Sequence, residues 1–221
     1  MAGILGLVGS GEFTKAMVDC DKFLLEKTSK PKVAILPTAA GEEAKYYKWI
    51  EDGVKHFKNL GTHVVGIPIL TRQQANDPKM AKSLQEFNFY YFSGGNPGYL
   101  LDTIKNTKCW EVIYRKFLQG ATLVGSSAGA MILGKMVWTR VYDFVAGRTL
   151  KPWEEGLGIV EFGILPHYDF ALREFSKDDW ERIKINLPKG IKIIGIDEDT
   201  VYVRISGKWK VIGEGKVHEI Q

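Results

Sequence analysis

Cysteine, histidine and proline are scarce in this chain of 221 residues, which holds two, four and eight of them. Cys20 and Cys109 stand far apart, without Cys-x-x-Cys or Cys/His spacing. That argues against a zinc site or a disulfide framework and for free, buried thiols in a reducing compartment, the cytoplasm. Long apolar runs are also missing, so no segment is expected to span a membrane. The stretch from Met1 to Gly9 lacks a basic leader, is too short for a signal sequence and reads as a first strand. Charge of one sign is not in excess: 30 basic and 26 acidic residues give a formal charge of +4. They are scattered, and the basic stretch from Lys27 to Lys32 reads as a solvated helix end, so neither nucleic acid nor membrane is an expected partner.

What is present is an ordinary globular balance, 45 % hydrophobic and 25 % charged. A chain of this length buries roughly 70 % of its unfolded surface, enough for stability without disulfide or metal. One α/β domain over residues 1–221 is expected, with neither internal repeat nor linker. Short β-branched or aromatic runs closed by Gly, Pro or Ser mark strands at Ile4–Val8, Lys32–Leu36, His63–Ile69, Phe87–Phe92, Thr122–Val124, Ile164–Pro166 and Ile191–Ile196. Amphipathic segments between them mark helices at Phe13–Lys27 and Glu42–Leu60, and a pair from Tyr99 to Leu118 broken near Asn106-Thr107. This alternation predicts a doubly wound, mostly parallel sheet flanked by helices. From Thr200 the period falls to two, and turns at Ser206-Gly207-Lys208 and Gly213-Glu214-Gly215 predict a small C-terminal antiparallel meander. Residues 138–155 fit neither period. Trp138, Arg140, Tyr142, Arg148 and Trp153 there are candidates to shape a pocket or to cover a sheet edge, and none is assigned a role.

Ligands of open parallel sheets sit beyond the carboxyl ends of the strands. Gly9-Ser10-Gly11, Pro37-Thr38-Ala39-Ala40, Ser93-Gly94-Gly95-Asn96 and Gly125-Ser126-Ser127-Ala128-Gly129 are therefore expected on one rim. The first lacks the third glycine of a dinucleotide fingerprint, with Thr14 in its place. The last has the spacing of a nucleophile elbow, in which small neighbours let strand and helix cross closely and leave a serine hydroxyl clear. Ser127 is the candidate nucleophile. The Gly95 and Ala128 amides are candidate oxyanion donors, and Asn96-Pro97 reads as a helix cap and first residue. Of the histidines, His56 sits in a helix, His63 starts a strand and His218 lies in the tail, whereas His167 ends an apolar run on the serine's rim, as a general base should. The orienting carboxylate is left open by spacing among Asp197, Glu198 and Asp199, with Asp169 a further rival.

Gly-Ser-Ser-Ala-Gly-Ala, Phe-Ser-Gly-Gly-Asn, the isolated His167 and Gly-Ile-Asp-Glu-Asp-Thr occur in the order found in one family. The chain resembles the serine peptidases that include aspartyl dipeptidase (dipeptidase E) and cyanophycinase. That resemblance implies a fold similar to the glutaminase domain of class I glutamine amidotransferases, a Ser127-His167-Glu198 triad and support for Gly95 and Ala128 as oxyanion donors. It further implies cleavage of small peptides at aspartyl bonds. Asn96, which looks closer to the dipeptidase branch, and Arg173 are candidate substrate contacts; Arg173 is equally placed to pair with Asp169 or Glu174. No metal or organic cofactor is called for, and a monomer or homodimer is expected. An α/β-hydrolase esterase is the competing enzyme reading, but its acid precedes the histidine, whereas here the convincing acids follow it. A binding protein that keeps the fold without turnover is the competing non-enzymatic reading.

Overall fold

The computed structural model describes residues 3–140, 143 and 153–220. The main sheet is built from β1 (Leu5–Val8), β2 (Lys32–Leu36), β3 (His63–Gly66), β4 (Phe89–Phe92), β5 (Thr122–Ser126), β10 (Thr200–Ile205) and β11 (Lys208–Gly213). Its order is β11-β10-β1-β5-β4-β2-β3. The five strands from β1 to β3 in that order run parallel, and β10 and β11 extend the β1 edge antiparallel. The hairpin between β10 and β11 turns through Ser206 (φ 50°) and Gly207 (φ 79°), both left-handed as a tight hairpin requires.

Strands β1, β2, β4 and β5 are buried on both faces, which is why they read as continuous apolar runs. Val8, Val33, Ile35, Phe89 and Tyr91 pack with Met17, Cys20 and Leu24 at α1 (Val18–Lys27) and with Phe57 of α2 (Tyr47–Asn59). Leu7, Leu36, Tyr90 and Phe92 face the larger core. That side is covered by α3 (Arg72–Ala75), α4 (Pro78–Ser83), α5 (Pro97–Ile104), α6 (Lys108–Leu118) and α7 (Ala128–Ile132). Asn106, at φ 58°, breaks α5 from α6 where the sequence places the break.

Two smaller sheets complete the described elements. Strands β8 (Gly163–Leu165), β9 (Ile193–Ile196) and β12 (Val217–Glu219) form one, in the order β12-β9-β8, next to α8 (Tyr168–Glu174) and α9 (Lys177–Ile185). Here the tail departs from the expected meander: β10 and β11 pair as a hairpin, whereas β12 leaves them and pairs antiparallel with β9. The buried Asp197 carboxylate draws it there, accepting from the Lys216 amide at 2.9 Å, with His218 Nε2 2.9 Å from its other oxygen. Likewise Ile164 and Ile194 pair outside the main sheet.

Strands β6 (Met136–Trp138) and β7 (Trp153–Glu155) pair antiparallel at the two ends of the segment that sequence periodicity left unassigned. Their Trp138 and Trp153 rings stack 5.8 Å apart. Tyr142 and Arg148 lie outside the described residues. The first helix is also shorter than its periodicity suggests: it begins at Val18, because Gly11 and Phe13 both take positive φ and turn the chain.

Candidate active site

The carboxyl end of β5 runs directly into α7, and Ser127 sits at the junction with φ 49° and ψ −113°. A non-glycine residue in this region is strained, and such strain concentrates where a side chain must be presented to a ligand. Its neighbours make the crossing possible: a Cβ on Gly129 would lie 2.4 Å from the Phe92 carbonyl oxygen. His167 caps α8 in left-handed conformation, φ 51°, at the end of β8, which aims its ring back across the rim. Gly9 joins these loops. Its carbonyl accepts from the His167 amide at 3.3 Å, and a Cβ there would strike the Asp197 carbonyl.

Ser127 Oγ lies 2.9 Å from His167 Nε2, and His167 Nδ1 lies 2.7 Å from Glu198 Oε1. With the ring proton on Nδ1 donated to the carboxylate, Nε2 is free to accept from the serine hydroxyl. Each of the other acids is engaged elsewhere. Asp197 holds β12. Asp199, itself at φ 53°, turns its Oδ1 toward Gly11. Burial raises the Asp199 carboxyl above its usual range, and the charges of Glu214, Glu198 and Asp169 add to that. Asp169 accepts from the Glu198 backbone amide at 2.8 Å and from Arg173 at 3.1 Å. Partial burial alone would raise its carboxyl, but these donors and the Phe170 amide outweigh that and hold it below the usual value.

The Gly94-Gly95 turn lies opposite. Gly95 has φ 138°, accessible in practice only to glycine, and a Cβ there would sit 2.5 Å from the Ala39 carbonyl oxygen. The Gly94 amide donates to Glu12 Oε1 at 2.7 Å, whereas no acceptor among the described residues takes the Gly95 or Ala128 amide. Asn96 Oδ1 accepts from the Gly98 and Tyr99 amides at 3.0 and 3.1 Å, so its carbonyl end caps α5 rather than standing free for a substrate. Arg173, 60 % exposed, is spent on Asp169.

Glu12 is the site neighbour that sequence reasoning missed. Besides holding Gly94, its Oε2 accepts from Ser126 Oγ at 2.7 Å, so one carboxylate ties the glycine turn to the elbow. The signal was its place directly after Gly9-Ser10-Gly11, on the rim beyond β1 and before the expected helix. Among the described residues no group of three or more His, Cys, Asp and Glu side chains converges as a metal-ligand set. Among those residues, too, no helix is long and apolar enough to cross a membrane.

Known proteins carry the same frame. An uncharacterized peptidase of Listeria innocua is 30 % identical over 139 residues, 62 % of this chain and 64 % of its own length. One from Listeria monocytogenes matches equally over 65 % of its length, so the chain spans just under two thirds of these relatives. The crystal structure of a peptidase from an acI-B1 Actinobacterium superposes with a TM-score of 0.87 at 35 % identity, covering 100 % of this chain and 91 % of that one. A Listeria monocytogenes EGD-e protein named as a candidate peptidase E has the same fold, with a TM-score of 0.71 at 22 % identity over 97 % of this chain and all of its own. The sequence model of peptidase family S51 matches residues 5–212, and with that match the chain belongs to peptidase family S51.

Proposed function

We propose that the chain is a serine peptidase of short peptides, working through Ser127, His167 and Glu198 by way of an acyl-enzyme. The observation that carries this reading is the unbroken hydrogen-bond chain from hydroxyl to imidazole to carboxylate, at 2.9 and 2.7 Å, beside two backbone amides that no acceptor among the described residues takes. Ser127 Oγ attacks the peptide carbonyl as His167 takes its proton. The Gly95 and Ala128 amides hold the oxyanion, and each such donor contributes about 3 kcal/mol to the barrier reduction. His167 then protonates the leaving amine as the C–N bond breaks, and water repeats the cycle to release the acid. Glu198 fixes the tautomer and stabilises the imidazolium without taking a proton.

The aspartyl selectivity that the family resemblance implies requires a cation at the substrate carboxylate, and Arg173 is the residue carried over for it. Its ion pair with Asp169 favours the broader reading, cleavage of short peptides. A cytoplasmic location and a monomeric or homodimeric state belong to the same proposal.

A fluorophosphonate probe tests the nucleophile. It is expected to label Ser127 in the wild-type protein and to leave Ser127→Ala unlabelled; an inert wild-type serine together with no peptide turnover would overturn the reading. Glu198→Gln is expected to lower kcat by about a hundredfold or more with the fold intact by circular dichroism. Near-normal turnover in that variant would remove Glu198 from its role.

A further inference from the structure

Two cavities of opposite chemistry meet at the candidate nucleophile. One, of about 330 Å³, runs from Ser127, His167 and Gly95 past Ser10 and the carboxylates of Glu12 and Glu43. The other, of about 530 Å³, opens from the same three residues and is walled by Met131, Trp138, Leu165, Phe175, Trp180 and Ile183. Both volumes lie in the range of small-ligand sites, about 300–1,000 Å³. Among the described residues no Lys, Arg, Asp or Glu side chain lines the larger one.

Its wall is packed. Trp138 stacks on Trp153, and Trp180 meets Tyr168 and Phe175 at ring-centroid distances of 5.6 and 5.8 Å. Met131 and Ile183 are 5 % and 2 % exposed, so the wall on their side is continuous with the core. Among the described residues no Lys or Arg lines this space to offset the hydration that an aspartate side chain would give up on entering it. An aromatic or branched aliphatic side chain would instead remove its own apolar surface, and that of the wall, from water.

The acidic arm fixes which residue of the substrate this is. In a dipeptide, or in a longer peptide cut after its first residue, the ammonium belongs to the same residue as the carbonyl that Ser127 attacks. Glu12 and Glu43 attract that ammonium and repel a terminal carboxylate. With the ammonium toward the carboxylates and the carbonyl on Ser127, the apolar arm is the cavity open to the side chain of that α carbon.

We propose that the apolar cavity receives the side chain of the acyl-side residue, and that the enzyme selects large apolar amino-terminal residues over aspartate. This rests on the serine-peptidase reading above and names its substrate class. Selectivity is then a matter of cavity shape. Ala171, half-buried on α8, lines the same space, so a larger side chain there competes directly with the substrate's.

The test is kcat/KM for Phe-Ala, Leu-Ala, Ala-Ala and Asp-Ala in the wild type, with Trp-Ala added for the variants. In the wild type Phe-Ala and Leu-Ala are expected to exceed Ala-Ala by about tenfold or more, and Asp-Ala by about a hundredfold. Ala171→Trp is expected to cut the Phe-Ala to Ala-Ala ratio by about tenfold, and Phe175→Ala to move the preference the other way, toward Trp-Ala. Faster cleavage of Asp-Ala than of Phe-Ala, or an unchanged ratio in both variants, overturns the selectivity and leaves the peptidase standing. A wild type that cleaves none of the four and takes no fluorophosphonate label overturns the serine-peptidase reading itself, and this inference with it.

Discussion

At the scale of single residues, four carboxylates crowd the segment around His167, and backbone conformation decides which one meets the ring. His167 and Asp199 both take positive φ, so the alternation of an extended chain does not describe where their side chains go. That is why Ser127 and His167 are readable from spacing, whereas the acid is not: φ signs at non-glycine residues leave no mark in composition. Glu12 was illegible for a different reason, since its partners Gly94 and Ser126 are 82 and 114 positions away. Asp169 is a positioning residue for Glu198, and pH exposes it. Its carboxyl is held below the usual value in the folded state, so its contribution is present above about pH 4 and is lost as pH falls through the lowered value. Asp169→Asn is expected to lower stability at pH 6 by less than about 1 kcal/mol, because the Arg173 pair is largely solvated. The gap from wild type should close toward pH 3. Urea midpoints at the two pH values check this, and a gap that widens in acid would refute it.

At the scale of elements, each strand read from an apolar run has a counterpart, with ends that shift by up to three residues: the one from His63 stops at Gly66, and the one from Thr122 runs on to Ser126. Local pattern fixes that a strand exists but not its partner. The tail shows the difference: period two marks three strands, but only long-range bonds to Asp197 send the third to β9. The elbow is the element whose packing is most exacting. Gly125 and Gly129 face each other so closely that a Cβ on Gly125 would lie 2.2 Å from the Gly129 carbonyl oxygen. Gly129→Ala must push α7 off β4, and is expected to cost about 1–3 kcal/mol of stability and to displace Ser127. Urea unfolding measures the first and fluorophosphonate labelling rate the second. A variant within about 0.5 kcal/mol of wild type would mean that the crossing yields easily.

At the scale of the whole molecule, one sheet separates two cores, and each holds one cysteine. Cys20 lies on α1 in the smaller core, and Cys109 lies on α6 in the larger. Burial pushes both thiols up to about 11, with Asp21 adding to the first and Asp77 to the second. At pH 8 neither is then a thiolate to any useful extent, and a disulfide reagent must wait for the structure to open. Strands β1, β2, β4 and β5 contribute side chains to both cores, so one face cannot dissolve without unpairing the sheet that supports the other. The two thiols are therefore expected to become reactive at the same urea concentration, as one cooperative unit requires. Mass spectrometry of the labelled protein distinguishes the alternatives: unlabelled and doubly labelled species alone support a single unit. A population carrying label only on Cys109 would show that the helices of the larger core detach first, and the expectation of one domain over the chain would fail with it.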